Sequence, residues 1–317
     1  MNYLYLLKRL VYMLAAVLAV SSAVFAITTL VPGNVANYIL GTGATEERVA
    51  QVEADLGLDR PIHVQYLDFV GGVLTLDFGE SFVSGQPVSE MIWPRLIRTL
   101  QLAAVAMTIS IVTAIPLGIV AAAKRDTIVD QLVTTTSYIG LSIPSFVSAT
   151  LLLLLFTSPP LELFPRGGYV ALKNGVIPWL HHLLLPAIAM NTVILAYVLR
   201  QTRSSMVETL ESEYIRTARL KGVAESKVLF GHAFRNGLLP TVTVLALNFG
   251  WMMGAVVIIE EIFAYPGVGE MIIQAVDSRD LPVLQAAILV PTIAFIIANF
   301  VADIVYTLLD PRITLGE

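Results

Sequence analysis

The sequence predicts an all-α integral membrane protein with six transmembrane helices and a small extracytoplasmic domain between the first and the second. Three observations carry this. Of 317 residues, 56% are hydrophobic and 14% charged, with mean hydropathy +0.77, whereas a soluble domain carries about 25% charged residues. Six runs with almost no charge are each long enough to cross about 30 Å of hydrocarbon. Basic residues gather on alternate connections, as expected of cytoplasmic loops.

The first run, Leu10–Leu30, follows Lys8 and Arg9. Basic residues ahead of an apolar stretch also mark a signal peptide, but this stretch is too long for a secretory core. Val31-Pro32-Gly33 is moreover a poor small-residue cleavage site. It is expected to be a retained span entering from the cytoplasm. From Pro32 to Arg98 the chain turns polar and acidic, with Glu46, Glu47, Glu53, Asp55, Asp59, Asp68, Asp77, Glu80 and Glu90. A short helix from Thr45 to Leu56, stopped by Gly57, and another within Pro61–Leu74 are expected there.

The remaining runs are Thr99–Ala123, Gln131–Ser158, Leu183–Leu199, Thr241–Ile259, and Leu281–Ala302 continuing past Asp303 to Leu309. Six spans starting inside put both termini in the cytoplasm. That topology assigns twelve of the 19 Lys and Arg residues to the shorter cytoplasmic pieces, among them Lys124, Arg125, Arg312 and the basic residues between Arg200 and Arg235. The outer pieces are acidic. The division is 1–98, first span plus extracytoplasmic region; 99–309, a five-span core with a cytoplasmic loop at 200–240; and 310–317, a cytoplasmic tail.

Within the spans, Pro116, Pro144, Pro186 and Pro291 each remove a backbone donor. Such prolines either kink a packed helix or serve as hinges. Asn191, Asn248, Asn299 and Asp303 are polar groups at membrane depth, where polar side chains turn inward. Asp303 is near enough to its helix end to be interfacial. Trp251, Met252 and Met253 are either core packing or an adaptable wall for apolar side chains. Between Glu260 and Gln285 an outer loop is expected, with Tyr265-Pro266-Gly267 as a turn.

The most informative stretch is Glu213–Pro240, EYIRTARLKGVAESKVLFGHAFRNGLLP. Val207, Leu210, Tyr214, Ala218 and Lys221 recur at three- and four-residue steps, which predicts one amphipathic helix over Ser204–Lys221. Gly222 ends it, because glycine takes the left-handed conformation that closes a helix. Val228, Leu229, Ala233 and Phe234 then mark the apolar face of a second short helix running to Pro240. By spacing alone this is a solvated connection between two spans. By residue order it closely resembles the cytoplasmic signature loop of ABC importer permeases, in Glu213–Gly222, His232–Asn236 and Leu238–Pro240. Asp55–Phe69, Leu76–Ser81 and Gly85–Val88 resemble the N-terminal portion of the peptide-importer branch. Gly140–Phe146 resembles the family's third core span, and Ile262–Glu270, Arg279–Gln285 and the closing Leu308–Ile313 resemble the later segments and tail of peptide-importer permeases.

The resemblance implies a type I ABC importer permease core that forms a path for dipeptides or oligopeptides. The same branch carries nickel, glutathione and some oligosaccharides. It implies two ABC ATPase subunits, a second and related permease subunit, an extracytoplasmic solute-binding protein, and residence in the cell membrane. The ATPase-coupling residues it points to are Glu213, Ala218, Gly222, Val223, Ala224, Glu225, Ser226, Lys227 and Pro240. Glu225 and Lys227 are expected to make polar contacts to the partner. Ser142, Pro144, Asn191, Asn248, Met252 and Asn299 are candidates for the translocation path, with Pro144 as a hinge.

Other functions are excluded residue by residue. No lysine follows a glycine, so no GxxxxGK[ST] phosphate loop exists and ATP hydrolysis must fall to another subunit. There is no cysteine, and His63, His181, His182 and His232 lack zinc-ligand spacing. No catalytic residue, metal, cofactor or nucleic-acid partner is expected. An ion-coupled secondary transporter would show paired repeats around a midplane site, and a membrane enzyme would need convergent catalytic groups; neither pattern is present.

Overall fold

The structure, a computed structural model, describes residues 3–30, 36, 40 and 44–309. Among these the regular elements are all helices, with one isolated β-bridge between Glu80 and Pro87. The expected tail 310–317 and the Val31-Pro32-Gly33 segment lie outside the described residues, as does the side chain of Asp303.

In order, the helices are α1 (Tyr3–Leu30), α2 (Glu46–Asp55), α3 (Ile62–Thr75), α4 (Val88–Ala123), α5 (Ile128–Ser142), α6 (Ser145–Thr157), α7 (Val176–Leu210), α8 (Glu213–Leu220), α9 (Leu239–Ile262), α10 (Val268–Asp277) and α11 (Leu281–Leu309). Short helical pieces fill Leu172–Asn174 and Glu225–Gly237. Five helices, α1, α4, α7, α9 and α11, are long and apolar enough to cross a membrane. The number is six if α5 and α6 together make one span.

That pair is the main departure from the predicted spans. Gln131–Ser158 is not one straight helix: α5 and α6 meet at 103°. The cause is local. Ile143 precedes a proline and is driven out of the helical region to φ −96, ψ 120, and Pro144 follows at φ −56, ψ 142. Pro116, Pro186 and Pro291, by contrast, sit inside helices that run on through them. A second difference is the region expected as an outer loop, which contains the amphipathic α10. Its Val268, Met271 and Ala275 are buried at i, i+3, i+7 spacing. The helix expected from Thr99 begins at Val88.

The chain forms two compact units, residues 1–99 with 266–317, and residues 100–265. In the first, α1 packs against α11 and α3, and α10 packs against α11. Gln285 donates to Thr28 Oγ1 at 2.8 Å, and Val24, Val73 and Leu289 form a small core. The buried Asp280 carboxylate accepts from Ser81 Oγ at 2.5 Å and from the Phe82 amide at 3.1 Å. Arg95 bonds Glu270 and Gln274, each at 3.2 Å, while Thr99 Oγ1 accepts from the Val268 amide. These bonds tie α10 to the start of α4.

In the second unit α7 is central, touching α5, α6 and α9. Its apolar core combines Leu102, Leu183, Met190, Ile194, Met252, Ile259, Phe263 and Tyr265, all nearly inaccessible. Without a strong hydrophobic drive between helices in lipid, close approach over small residues matters. Gly118 shows it: a Cβ there would lie 2.7 Å from Thr202 Cβ and 2.9 Å from the Leu199 carbonyl.

Candidate functional site

The basic loop is built on the end of α7. Helix formation expected to run unbroken from Ser204 to Lys221 is interrupted at Glu211-Ser212. Ser212 is extended (φ −66, ψ 149), and its carbonyl accepts from the amides of Ile215 and Arg216 at 3.1 Å, which starts α8. Serine suits that position, although here its hydroxyl turns back to the Thr209 carbonyl. After the break Ile215 is fully buried with Met206 of α7 and with Ile119 and Ala122 at the end of α4. The loop is therefore seated on the ends of two helices.

Gly222 takes φ +75, as its place after the helix requires. Its amide bonds the Arg219 carbonyl at 2.9 Å and the Val223 amide bonds the Ala218 carbonyl at 3.2 Å, the paired bonds that close a helix through a left-handed residue. Ala218 and Val223 both pack on the same small core, completing the motif. A Cβ at Gly222 would meet nothing within 4 Å, so the demand for glycine is conformational and not one of space.

Beyond the turn, Val228, Leu229 and Ala233 join that core as expected, but Phe234 is turned out. The cause is a wide, π-type turn over Val228–Ala233, which shifts the helical register. Gly237 lies against Met206, and Pro240 is at the first turn of α9, where its missing donor leaves no helical bond unmade. Glu213, Gly222, Ala224, Glu225, Ser226, Lys227 and Pro240 are exposed, while Ala218 and Val223 are half-buried. Of the large apolar side chains exposed on this surface, Leu220 at 81% and Phe230 at 64% stand out furthest.

The expected polar residue Glu225 is already engaged within the chain. Arg219 donates to it twice, Nε to Oε2 at 3.1 Å and Nη2 to Oε1 at 2.6 Å, and a third bond runs from Arg219 to the Leu210 carbonyl. The hydrogen bonds from Arg219 hold the Glu225 carboxyl below the usual carboxylate range, and Glu225 in turn raises Arg219.

The six path candidates are spread over α5, the α5–α6 break, α7, α9 and α11. Ser142 and Pro144 are exposed at the α5–α6 break, the serine hydroxyl bonding its own helix at Tyr138. Asn191 is buried on α7, where its Oδ1 accepts from Ser110 Oγ of α4 at 2.6 Å. Its Nδ2 has no hydrogen-bond partner among the described residues. Asn248 caps back onto Val244 of its own helix, Met252 is packed in the core, and Asn299 is half-buried on α11.

One polar contact was not foreseen. Asp130 of α5 and Arg203 of α7 form a two-pronged ion pair, with bonds of 2.5 and 2.6 Å, and Asp130 also accepts from the Asp126 amide. A cavity of 320 Å³ opens beside it, lined by Asp126, Asp130, Gln131, Thr134, Thr135 and Arg203. The partners are far apart in sequence, so no local spacing signals them. Among the described residues no cluster of His, Asp or Glu is arranged to hold a metal.

Residues 114–315 match the family described as binding-protein-dependent transport system inner membrane component, and residues 2–103 match the N-terminal region of such membrane components. The chain belongs to this family. A Brucella suis biovar 1 chain, whose name assigns it provisionally to a peptide transport system permease, is 41% identical over 97% of this chain and 98% of the relative. The probable peptide ABC transporter permease protein y4tP of Sinorhizobium fredii is 36% identical, and the glutathione transport system permease protein GsiC of Salmonella typhimurium 38%, each over 98% of both chains. This binding-protein-dependent permease is a multi-pass inner-membrane subunit, and the family resemblance seen in its separate motifs holds along nearly its whole length.

Proposed function

We propose that this permease forms the translocation path of an ATP-driven importer of dipeptides or oligopeptides and receives its driving force through residues 213–240. The observation that carries the reading is the loop's construction. The Gly222 turn and the Ile215 anchor fix an exposed surface to the ends of α4 and α7. A partner that moves this surface moves those helices with it, as a lever rather than as a tether.

Ala218, Gly222 and Val223 keep the turn in shape. Leu220 and Phe230, with Glu213, Ala224, Ser226 and Lys227 around them, offer the apolar and polar contacts to an ATPase cleft. Arg219 and Glu225 hold the two arms together. Two ATPase subunits, a second related permease and an extracytoplasmic binding protein complete the assembly, with both termini of this chain in the cytoplasm. Residues 1–98 form the first span and extracytoplasmic region, and 99–309 the permease core. The break at Pro144 serves as a hinge, and Ser142, Asn191, Asn248, Met252 and Asn299 contribute to the path.

The experiment is ATP-dependent uptake in proteoliposomes with the partner subunits, using a labelled dipeptide and a longer peptide, with and without the binding protein. Uptake requiring both ATP and binding protein is the expected result; uptake without ATP overturns the reading. The similarity to GsiC favours glutathione, itself a tripeptide, as the second substrate to try. Binding-protein-stimulated ATP hydrolysis without peptide or glutathione uptake moves the substrate to nickel or an oligosaccharide.

A further inference from the structure

We infer that α3 lies within the lipid leaflet at the C-terminal end of α1, its outward face against acyl chains, rather than standing clear of the membrane with the polar segment around it. The evidence is a register. α1 and α11 run antiparallel, and Gln285 bonds Thr28 while Leu289 packs on Val24 and Ile293 joins the same cluster with Val20. Each rung is four residues further along both helices, about 6 Å of rise. The uncharged run of α1 extends from Leu10 to Leu30, so the Thr28–Gln285 rung lies close to its C-terminal end and the next rungs lie progressively inside.

α3 attaches at the inner rungs. Val73 is buried with Val24 and Leu289, Phe69 packs on Phe25 with ring centres 5.6 Å apart, and Tyr66 meets Phe25 at 5.4 Å and Ser22 Oγ at 2.7 Å. Residues 66–73 are thus level with residues 22–25 of a membrane span, about 4–9 Å inside the Thr28–Gln285 rung. A helix held at that depth meets lipid wherever the protein does not cover it.

The other faces of α3 agree. Gln65 and Asp68 line a 260 Å³ cavity with Arg60 and Asp77, and Asp68 pairs with Arg60 at 2.7 Å, so these two share one side, while His63 is exposed one turn before Leu67 and the Thr75 hydroxyl turns back to the Gly71 carbonyl. The uncovered side carries Leu67 at 65% exposure and Leu74 at 77%, seven residues and two turns apart, with Leu76 just beyond at 51%. Helices that lie in a membrane interface have this division, with an apolar face sunk about 5–10 Å.

The chain has no cysteine, so single cysteines for spin labelling can be placed without background. Leu67→Cys, Leu74→Cys and Leu76→Cys replace exposed side chains and leave the packed face intact. Leu18→Cys on α1 serves as the lipid standard and Glu47→Cys, exposed on α2, as the water standard. In the full chain in nanodiscs, alone and assembled with its partner subunits, collision rates with oxygen and with a water-soluble nickel chelate are compared. The expected ratio at the three α3 positions matches that at Leu18→Cys and is reversed from Glu47→Cys. Ready collision with the chelate places α3 in water and overturns the inference. Shielding from both reagents in the assembly means that a protein partner covers the face, and overturns it equally.

Discussion

Arg219 reaches across the Gly222 turn and holds the carboxylate of Glu225 in two hydrogen bonds, joining the end of α8 to the first residue of the helix that follows. The pair spans the point where the chain reverses, so it fixes the angle between the two arms. Both side chains are substantially exposed, which limits the pair to about 0.2–1 kcal/mol. Arg219→Ala and Glu225→Gln are each expected to leave the protein inserted and folded while raising ATP hydrolysis per peptide transported. The double variant should be little worse than either single one. Additive losses would mean that the two residues act separately.

The pair also has a pH signature. The folded-state carboxyl of Glu225 is lowered by its hydrogen bonds to Arg219. Its contribution is therefore fully present above the ordinary carboxyl range and is lost as pH falls through the lowered value. Loop cleavage by a protease on the exposed arms, followed from neutral pH downward, should accelerate in acid in the wild type. Glu225→Gln should cleave at one rate throughout; a parallel acid rise in that variant would assign the effect to another group.

At Gly222 the conformation and the space make opposite demands. A Cβ has room, but φ is +75. Gly222→Asn should therefore retain most coupled uptake, since asparagine visits this region. Gly222→Val pays the left-handed penalty of about 1–2 kcal/mol and reshapes the turn. It should lose uptake while membrane insertion stays intact. Equal behaviour of the two variants would argue against a conformational role.

Much of this was legible in the sequence, because it rests on local rules. α2 ends at Asp55, just before the left-handed Gly57, α3 fills the expected segment, and the Gly222 turn lies where its glycine predicted. The α5–α6 bend was harder to see, since uniform apolarity hides a break that only the Ile143-Pro144 dipeptide encodes. α10 carries a helical pattern, yet its short length between turn residues reads as loop. The interruption at Ser212 and the pairs Arg219–Glu225 and Asp130–Arg203 depend on tertiary packing, which no periodicity records.

Asp280 offers a test of the first unit. Its carboxylate accepts from the Ser81 hydroxyl and the Phe82 amide in a buried setting, and so binds the segment after α3 to the start of α11. Asp280→Ala leaves both donors unanswered, at about 1–3 kcal/mol for each buried group. Thermal unfolding in detergent should shift down by several degrees, whereas Ser81→Ala, which removes one donor and leaves the other bond, should shift it less. A milder effect for Asp280→Ala than for Ser81→Ala would contradict this account.

Asn191 separates a packing role from a transport role. Its Oδ1 is satisfied by Ser110 while its Nδ2 has no hydrogen-bond partner among the described residues, an arrangement that contributes little to stability in a membrane core. Removing Ser110 alone strands the Asn191 oxygen as well and should cost about 1 kcal/mol. Replacing both, Ser110→Ala with Asn191→Leu, removes every polar atom of the pair and should be near neutral or stabilising. If Asn191 also serves the path, the stable double variant will transport peptide poorly. If the pair is only packing, the double variant will transport normally, and Asn191 leaves the set of path residues.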